Sequence, residues 1–250
     1  MTDSIKRALW RRLSLENYLR VLSAGFFAGL RLGVRSKVYE YPRFLRRVVR
    51  RGDVVIDIGA NLGYYSREMA RLAGPGGKVY AVEPVEAMRR VLERNLRRHS
   101  NVEIIPRALG RENRSIVMVN DSALVGGYLG SGRNRVVEGD EARGGVEFEV
   151  EMGRGSELFA GLDRLDFIKC DIEGYESVVI PEMAPVIEQH RPIVLLETGG
   201  PARRDMIEIF RGWGYAGYVL HKGRLVSVMR APEKDIVFIP GARHKEFICE

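Results

Sequence analysis

One run constrains the chain more than any other: Val54-Val55-Ile56-Asp57-Ile58-Gly59-Ala60-Asn61-Leu62-Gly63-Tyr64-Tyr65-Ser66. Strand-forming apolar residues stop at an acid, a turn of small residues follows, and helical patterning begins. Gly59, Asn61 and Gly63 tolerate the backbone angles of a sharp strand-to-helix corner. Such a corner, at the carboxyl edge of a parallel sheet, is where α/β proteins bind a cofactor. It also serves as a plain connection, so a second sign is needed.

The glycines do not follow G-x-G-x-x-G, and Asp57 would repel a pyrophosphate two residues before Gly59, so a nicotinamide fingerprint is excluded. An acid there suits a cofactor with a cationic end, such as the ammonium and sulfonium of S-adenosylmethionine. The second sign is Glu83, 24 residues after Gly59, where the strand Lys78-Val79-Tyr80-Ala81-Val82 stops. An acid at the tip of the second strand can accept hydrogen bonds from both hydroxyls of a ribose. Asp57, Gly59, Asn61, Gly63 and Glu83 therefore form the expected cofactor pocket.

Strands and helices alternate on either side of this corner. Residues 41–51 read as a helix feeding a first strand over 54–59, with its helix over 64–73. A second strand spans 78–83, a helix 86–99 and a third strand 102–106. Residues 115–119 and 146–152 read as antiparallel strands around a Gly-, Asn- and Arg-rich loop at 121–145, too long for an ordinary connection. That loop suggests a lid over a substrate, or a disordered insertion. Alternation resumes with a strand ending near Cys170, a helix over 176–190 interrupted at Pro181 and Pro185, a strand over 192–197 and a helix over 203–213. Residues 215–221 and 235–239 close the sheet, with Lys222-Gly223 opening the turn between them. The pattern predicts a parallel sheet with an antiparallel last strand. In a chain of 250 residues, 45% hydrophobic, this makes one α/β domain with additions.

Lys169, Asp171 and Glu173 alternate along the fourth parallel strand and are expected on one side of it. Charges on a covered strand are costly unless paired or facing a crevice. Asp171 falls where donor and acceptor would meet. It could take a proton from an acceptor hydroxyl, orient that hydroxyl, or hold a divalent ion with Glu173. Lys169 could lower the pKa of Asp171 or of the hydroxyl. The same triplet also fits a structural ion-pair cluster. Glu197 ends the neighbouring strand and is expected beside it, and His221 is a weaker candidate nearer the sheet edge. Cys170 and Cys249 are far apart in no C-x-x-C pattern, so no disulfide or zinc site is signalled. Cys170 is expected to be a buried, reduced thiol, as in the cytoplasm.

The formal charge of +7 is concentrated at the N-terminus. Residues 1–51 hold 13 Lys and Arg against Asp3, Glu16 and Glu40, a net +10, which leaves −3 for 52–250. The apolar run 21–30 is too short to span a bilayer and a poor signal peptide. Leu9, Leu13, Tyr18, Leu22 and Phe26 recur at helical spacing, so 1–51 reads as a basic helical extension to the domain at 52–250. Three uses fit it: a cap or oligomer contact, a helix on an anionic membrane surface, or contact with an acidic substrate or nucleic acid.

The strings Asp57-Ile58-Gly59-Ala60-Asn61-Leu62-Gly63, Glu83-Pro84, Ala108-Leu109-Gly110, Asp166-Phe167-Ile168-Lys169-Cys170-Asp171-Ile172-Glu173-Gly174-Tyr175-Glu176 and the strand over 192–197 resemble the FkbM family of methyltransferases. The resemblance spans roughly 40–200 and implies a class I, Rossmann-like, seven-stranded fold. It implies S-adenosylmethionine, held by the motif residues Asp57, Gly59, Ala60, Asn61, Gly63, Glu83, Pro84 and Ala108. It also implies O-methylation of a hydroxyl on a sugar, glycan or natural product, with Asp171, Lys169, Glu173 and Glu197 as the catalytic candidates. Two rivals stand beside it: RNA 2′-O-methylation, and a cofactor-binding scaffold that has lost turnover. The slightly acidic body and the lack of an aromatic platform weigh against RNA. The expected location is cytoplasmic, peripheral at a membrane if the arm binds lipid.

Overall fold

The computed structural model describes residues 1–137, 144–230 and 233–247. Cys249 and residues 138–143 of the long loop lie outside the described residues. Three helices precede the sheet: α1 (Asp3–Arg12), α2 (Leu15–Arg31) and α3 (Glu40–Val48). Then come β1 (Val54–Ile58), α4 (Ser66–Ala73), β2 (Lys78–Val82), α5 (Glu86–Leu96) and β3 (Val102–Ile105). The middle of the chain forms β4 (Ala108–Leu109), β5 (Arg114–Asn120), α6 (Ser122–Gly126), β6 (Arg135–Val136), β7 (Val146–Gly153) and α7 (Gly155–Leu158). The last part supplies β8 (Phe167–Cys170), α8 (Glu176–Glu182), α9 (Ala184–His190), β9 (Ile193–Glu197) and α10 (Ala202–Gly212). It ends with β10 (Tyr215–His221), β11 (Arg224–Ser227), β12 (Asp235–Pro240) and α11 (His244–Phe247).

The main sheet has the order β11-β10-β12-β9-β8-β1-β2-β3. Strands β3, β2, β1, β8 and β9 are parallel, and β12 runs antiparallel between β9 and β10. This is the class I methyltransferase arrangement, with one correction to the expected count of seven. Lys222-Gly223 turns β10 into β11, an eighth strand at the edge, rather than into β12. Only four residues long and half-buried, β11 offers little periodicity to read.

Successive residues of the central strands face opposite layers, as a pleated strand covered on both sides requires. Ile56, Ile58, Ile168, Cys170, Val194 and Leu196 pack with α8, α9 and α10. Val55, Val79, Phe167, Ile193 and Leu195 pack with α3 and α4. A second, four-stranded sheet, β4-β7-β5-β6, carries the long loop. Its Ile116, Met118 and Met152 share a core with Tyr18 and Leu19 of α2 and with Met88 and Val91 of α5. Tyr18 and Leu19 are fully buried, and the Tyr18 hydroxyl donates to the Leu129 carbonyl at 2.9 Å. The helical spacing seen in the N-terminal arm therefore marks a face packed on the body.

Candidate active site

A cleft of about 610 Å³ opens at the carboxyl ends of β1, β2 and β8. Its floor is the corner after β1. Gly59 has φ of +76°, and a Cβ there would stand 2.1 Å from the Asp171 carbonyl oxygen, so only glycine fits. Asn61 follows at φ +52°. Its backbone N–H donates to Glu83 Oε2 at 2.8 Å, while Val85 N–H donates to Oε1 at 3.0 Å. Burial pushes the Glu83 carboxyl up to about 7 against the pull of these two donors. Each oxygen keeps a lone pair for a ligand. The Asn61 side-chain oxygen is buried with no partner of its own.

Gly59, Asn61, Glu83, Pro84 and Ala108 line this cleft, with Val82, Leu109 and Ile172 as apolar wall. Asp57, Ala60 and Gly63, also expected to hold the cofactor, lie behind its surface. Asp57 is wholly buried, accepts from the Ser66 hydroxyl of α4 and stands 3.6 Å from Lys169 Nζ. Burial raises its pKa, with Lys169 and Ser66 acting against that shift. Two groups distant in sequence thus claim the acid that ends β1. Gly63 instead gives room to Leu92, which a Cβ would approach to 3.0 Å.

The acidic half of the site stands at the tips of β8, β9 and β12. The strand ends at Cys170, so Lys169, Asp171 and Glu173 do not continue one face as expected. Lys169 is buried under the cleft. Its Nζ donates to the Gly59 carbonyl at 3.0 Å and sits 3.4 Å from Asp171, over the Tyr65 ring. Asp171 lines the cleft, and Glu173 follows in a left-handed turn at φ +55°. Glu197 shares a side-chain hydrogen bond with Asp171. Burial, then the charge of Asp171, pushes Glu197 up to about 8. Burial and the same neighbour raise Glu173 to about 7 and Asp235 to about 6. Asp235 is directly opposite Glu197 across the β9–β12 register. Among the described residues no three His, Cys, Asp or Glu side chains are grouped to hold a metal ion.

A second cleft, of about 580 Å³, adjoins the first, and Glu173 lines both. Glu197, Glu176, Thr198 and Lys234 complete its wall. The described part of the long loop roofs the first cleft through Ser131, Gly132 and Asn134. It is tied down, because Asn120 donates to the Gly130 carbonyl and to Asn134, each at 2.8 Å. His221 is elsewhere, half-exposed and paired with Glu233 at 2.9 Å. The sequence reading missed Arg107, Tyr175, Asp235 and the three roof residues. Only the small polar composition of the loop pointed toward any of them.

The model of the methyltransferase FkbM domain matches residues 57–216. A methyltransferase of Sordaria araneosa, sdnD, is 29% identical over 177 residues, covering 59% of this chain and 67% of that protein. A protein-L-isoaspartate O-methyltransferase of Methanothrix thermoacetophila is 39% identical over 59 residues, only 28% of its length. Among solved structures, an FkbM methyltransferase from Methylobacillus flagellatus matches with a TM-score of 0.49 and 14% identity, over 87% of this chain and 59% of that one. Aeropyrum pernix fibrillarin with natively bound S-adenosylmethionine matches at 0.44 and 14%, over 76% and 67%. With the matched segment running from the acid that ends β1 to the start of β10, the chain belongs to the FkbM family of S-adenosylmethionine-dependent methyltransferases.

Proposed function

We propose that the chain methylates a hydroxyl oxygen of a sugar, glycan or hydroxylated natural product. The observation that carries this reading is Asp171 on the wall of the cleft that Glu83 also lines, with Lys169 Nζ 3.4 Å from its carboxylate. S-adenosylmethionine supplies an electrophilic methyl group when bound. The residues fit it: Glu83 can take the ribose hydroxyls, the orphaned Asn61 oxygen seeks a donor, and Val82, Pro84, Leu109 and Ile172 offer apolar surface to a purine.

Asp171 is placed to hold the proton that the acceptor hydroxyl gives up. Glu197, whose carboxyl burial and the charge of Asp171 push up to about 8, stands beside Asp171 and steadies its position. Glu173, on the wall common to both clefts, orients the acceptor. Lys169 fixes the tips of β1 and β8 and is a positioning residue rather than a proton carrier. Proximity supplies much of the acceleration, because an aligned hydroxyl needs little more than a proton sink. An acidic rim repels phosphates, which argues against an RNA acceptor, and the intact Glu83 and Asp171 argue against a scaffold without turnover.

The test is a mass-spectrometric screen of the purified chain with S-adenosylmethionine against sugars, glycans and natural-product hydroxyls, with RNA in parallel. A methyl ether on one of the former is expected. Methylation of RNA alone, or of nitrogen or carbon alone, would overturn the reading.

A further inference from the structure

Loop 32–38, between α2 and α3, is fully exposed yet fixed. Val34 N–H donates to the Gly29 carbonyl at 3.0 Å, and Arg43 donates to the Val34 carbonyl at 2.7 Å. On this pinned backbone Leu32 is 79% exposed, Val34 46% and Val38 56%. Arg31, Arg35 and Lys37 are interleaved with them, and none forms an ion pair among the described residues. Arg31 and Leu32 also edge a groove of about 1530 Å³ whose wall includes Phe27, Leu30 and Arg67. No helix of the described residues is long and apolar enough to cross a membrane, so any lipid contact would be on the surface.

Single exposed apolar side chains are ordinary, but three within seven residues on an ordered backbone form the kind of local patch that marks an interaction surface. Cations between them select an anionic partner. A stretch that alternates aliphatic and cationic side chains matches the boundary between acyl chains and headgroups. A nucleic acid would call for free rings to stack on, and the rings beside the loop, Phe26, Phe27, Tyr39 and Tyr64, pack on one another, with Arg67 over Phe27. We infer that loop 32–38 with Arg31 docks the enzyme on an anionic lipid surface, inserting Leu32, Val34 and Val38 and pairing Arg31, Arg35 and Lys37 with headgroups.

The experiment is co-sedimentation of the full chain with phosphatidylcholine vesicles, with and without phosphatidylserine, at low and high salt. Binding is expected only with phosphatidylserine, and weaker at high salt. The triple variant Arg31→Gln, Arg35→Gln, Lys37→Gln should lower partitioning roughly 100-fold, at about a factor of five for each charge near the surface. The variant Leu32→Ser, Val34→Ser, Val38→Ser should lower it as well, while S-adenosylhomocysteine binding stays unchanged and shows that both variants fold. If the full chain remains in the supernatant with phosphatidylserine at low salt, the inference fails. It also fails if the serine variant sediments like the parent, or if that variant only dissolves a dimer seen by analytical ultracentrifugation. Salt-sensitive RNA binding lost in the glutamine variant alone would assign the loop to a different polyanion. None of these readouts depends on methyl transfer.

Discussion

The two halves of the site hold their carboxylates in opposite ways. At the tips of β1 and β2, Glu83 is braced by backbone N–H groups from Asn61 and Val85, one on each oxygen. Across the cleft, Asp171, Glu173, Glu197 and Asp235 crowd one another, and each of the last three has its pKa raised by burial and by Asp171. A carboxylate braced by the main chain is a rigid acceptor for a ligand's hydroxyls. Crowded, partly buried carboxylates hold a proton more readily than exposed ones do. Lys169 ties the halves together, touching Gly59 on one side and Asp171 on the other.

Replacing that tie should do the most damage. Lys169→Met leaves Asp57 buried without its cation, which costs about 3–5 kcal/mol, and thermal or urea unfolding would register the loss. Asp171→Asn should spare the fold and S-adenosylhomocysteine affinity but lower turnover about 10²- to 10⁴-fold, in single-turnover assays once an acceptor is found. Near-full activity would make Asp171 structural. Glu83→Ala should do the reverse, leaving two N–H groups unpaired and weakening cofactor binding by roughly 1–3 kcal/mol in calorimetry. If the two variants affected the same parameter, the contrast between the halves would collapse.

Protonation sharpens the comparison further. Glu197 binds its proton more tightly folded than unfolded, so its contribution to stability is complete below the ordinary glutamate range near 4.5 and is lost as pH rises through about 8. Melting temperature should therefore fall between those limits, and Glu197→Gln should flatten the profile. A parent curve that rises with pH over this window would contradict the raised pKa of Glu197. The smallest effect belongs to His221→Ala, an exposed pair outside both clefts, which should change stability by less than about 1 kcal/mol and leave turnover intact.

The sequence disclosed the parallel sheet, because covered strands and amphipathic helices each carry a period. It disclosed the strand-to-helix corner written in one turn, Gly59-Ala60-Asn61, and the acid Glu83 that directly follows β2 and lines the cleft. It did not show the partners of Asp57, because Ser66 waits at the start of α4 and Lys169 lies directly opposite on β8, more than a hundred residues on, and nothing local announces either. Asp235 was invisible for a related reason. It reads as the start of a closing strand, and only the insertion of β12 beside β9 puts it opposite Glu197. The roof residues Ser131, Gly132 and Asn134 have no period at all, so their position depends on tertiary bonds from Asn120 and Tyr18.

The seam between Gly59 and the Asp171 carbonyl has a consequence for how such an enzyme diversifies. A side chain at position 59 would stand 2.1 Å from that oxygen, so the corner after β1 and the turn after β8 are spaced by main-chain contact, a dimension that substitution cannot adjust. Changes of acceptor must then be accommodated at the periphery, in the roof around Ser131–Asn134 and in the turn after β9, where Thr198, Gly199 and Ala202 border the second cleft. A designer seeking a new acceptor would randomise those positions and leave the seam as inherited.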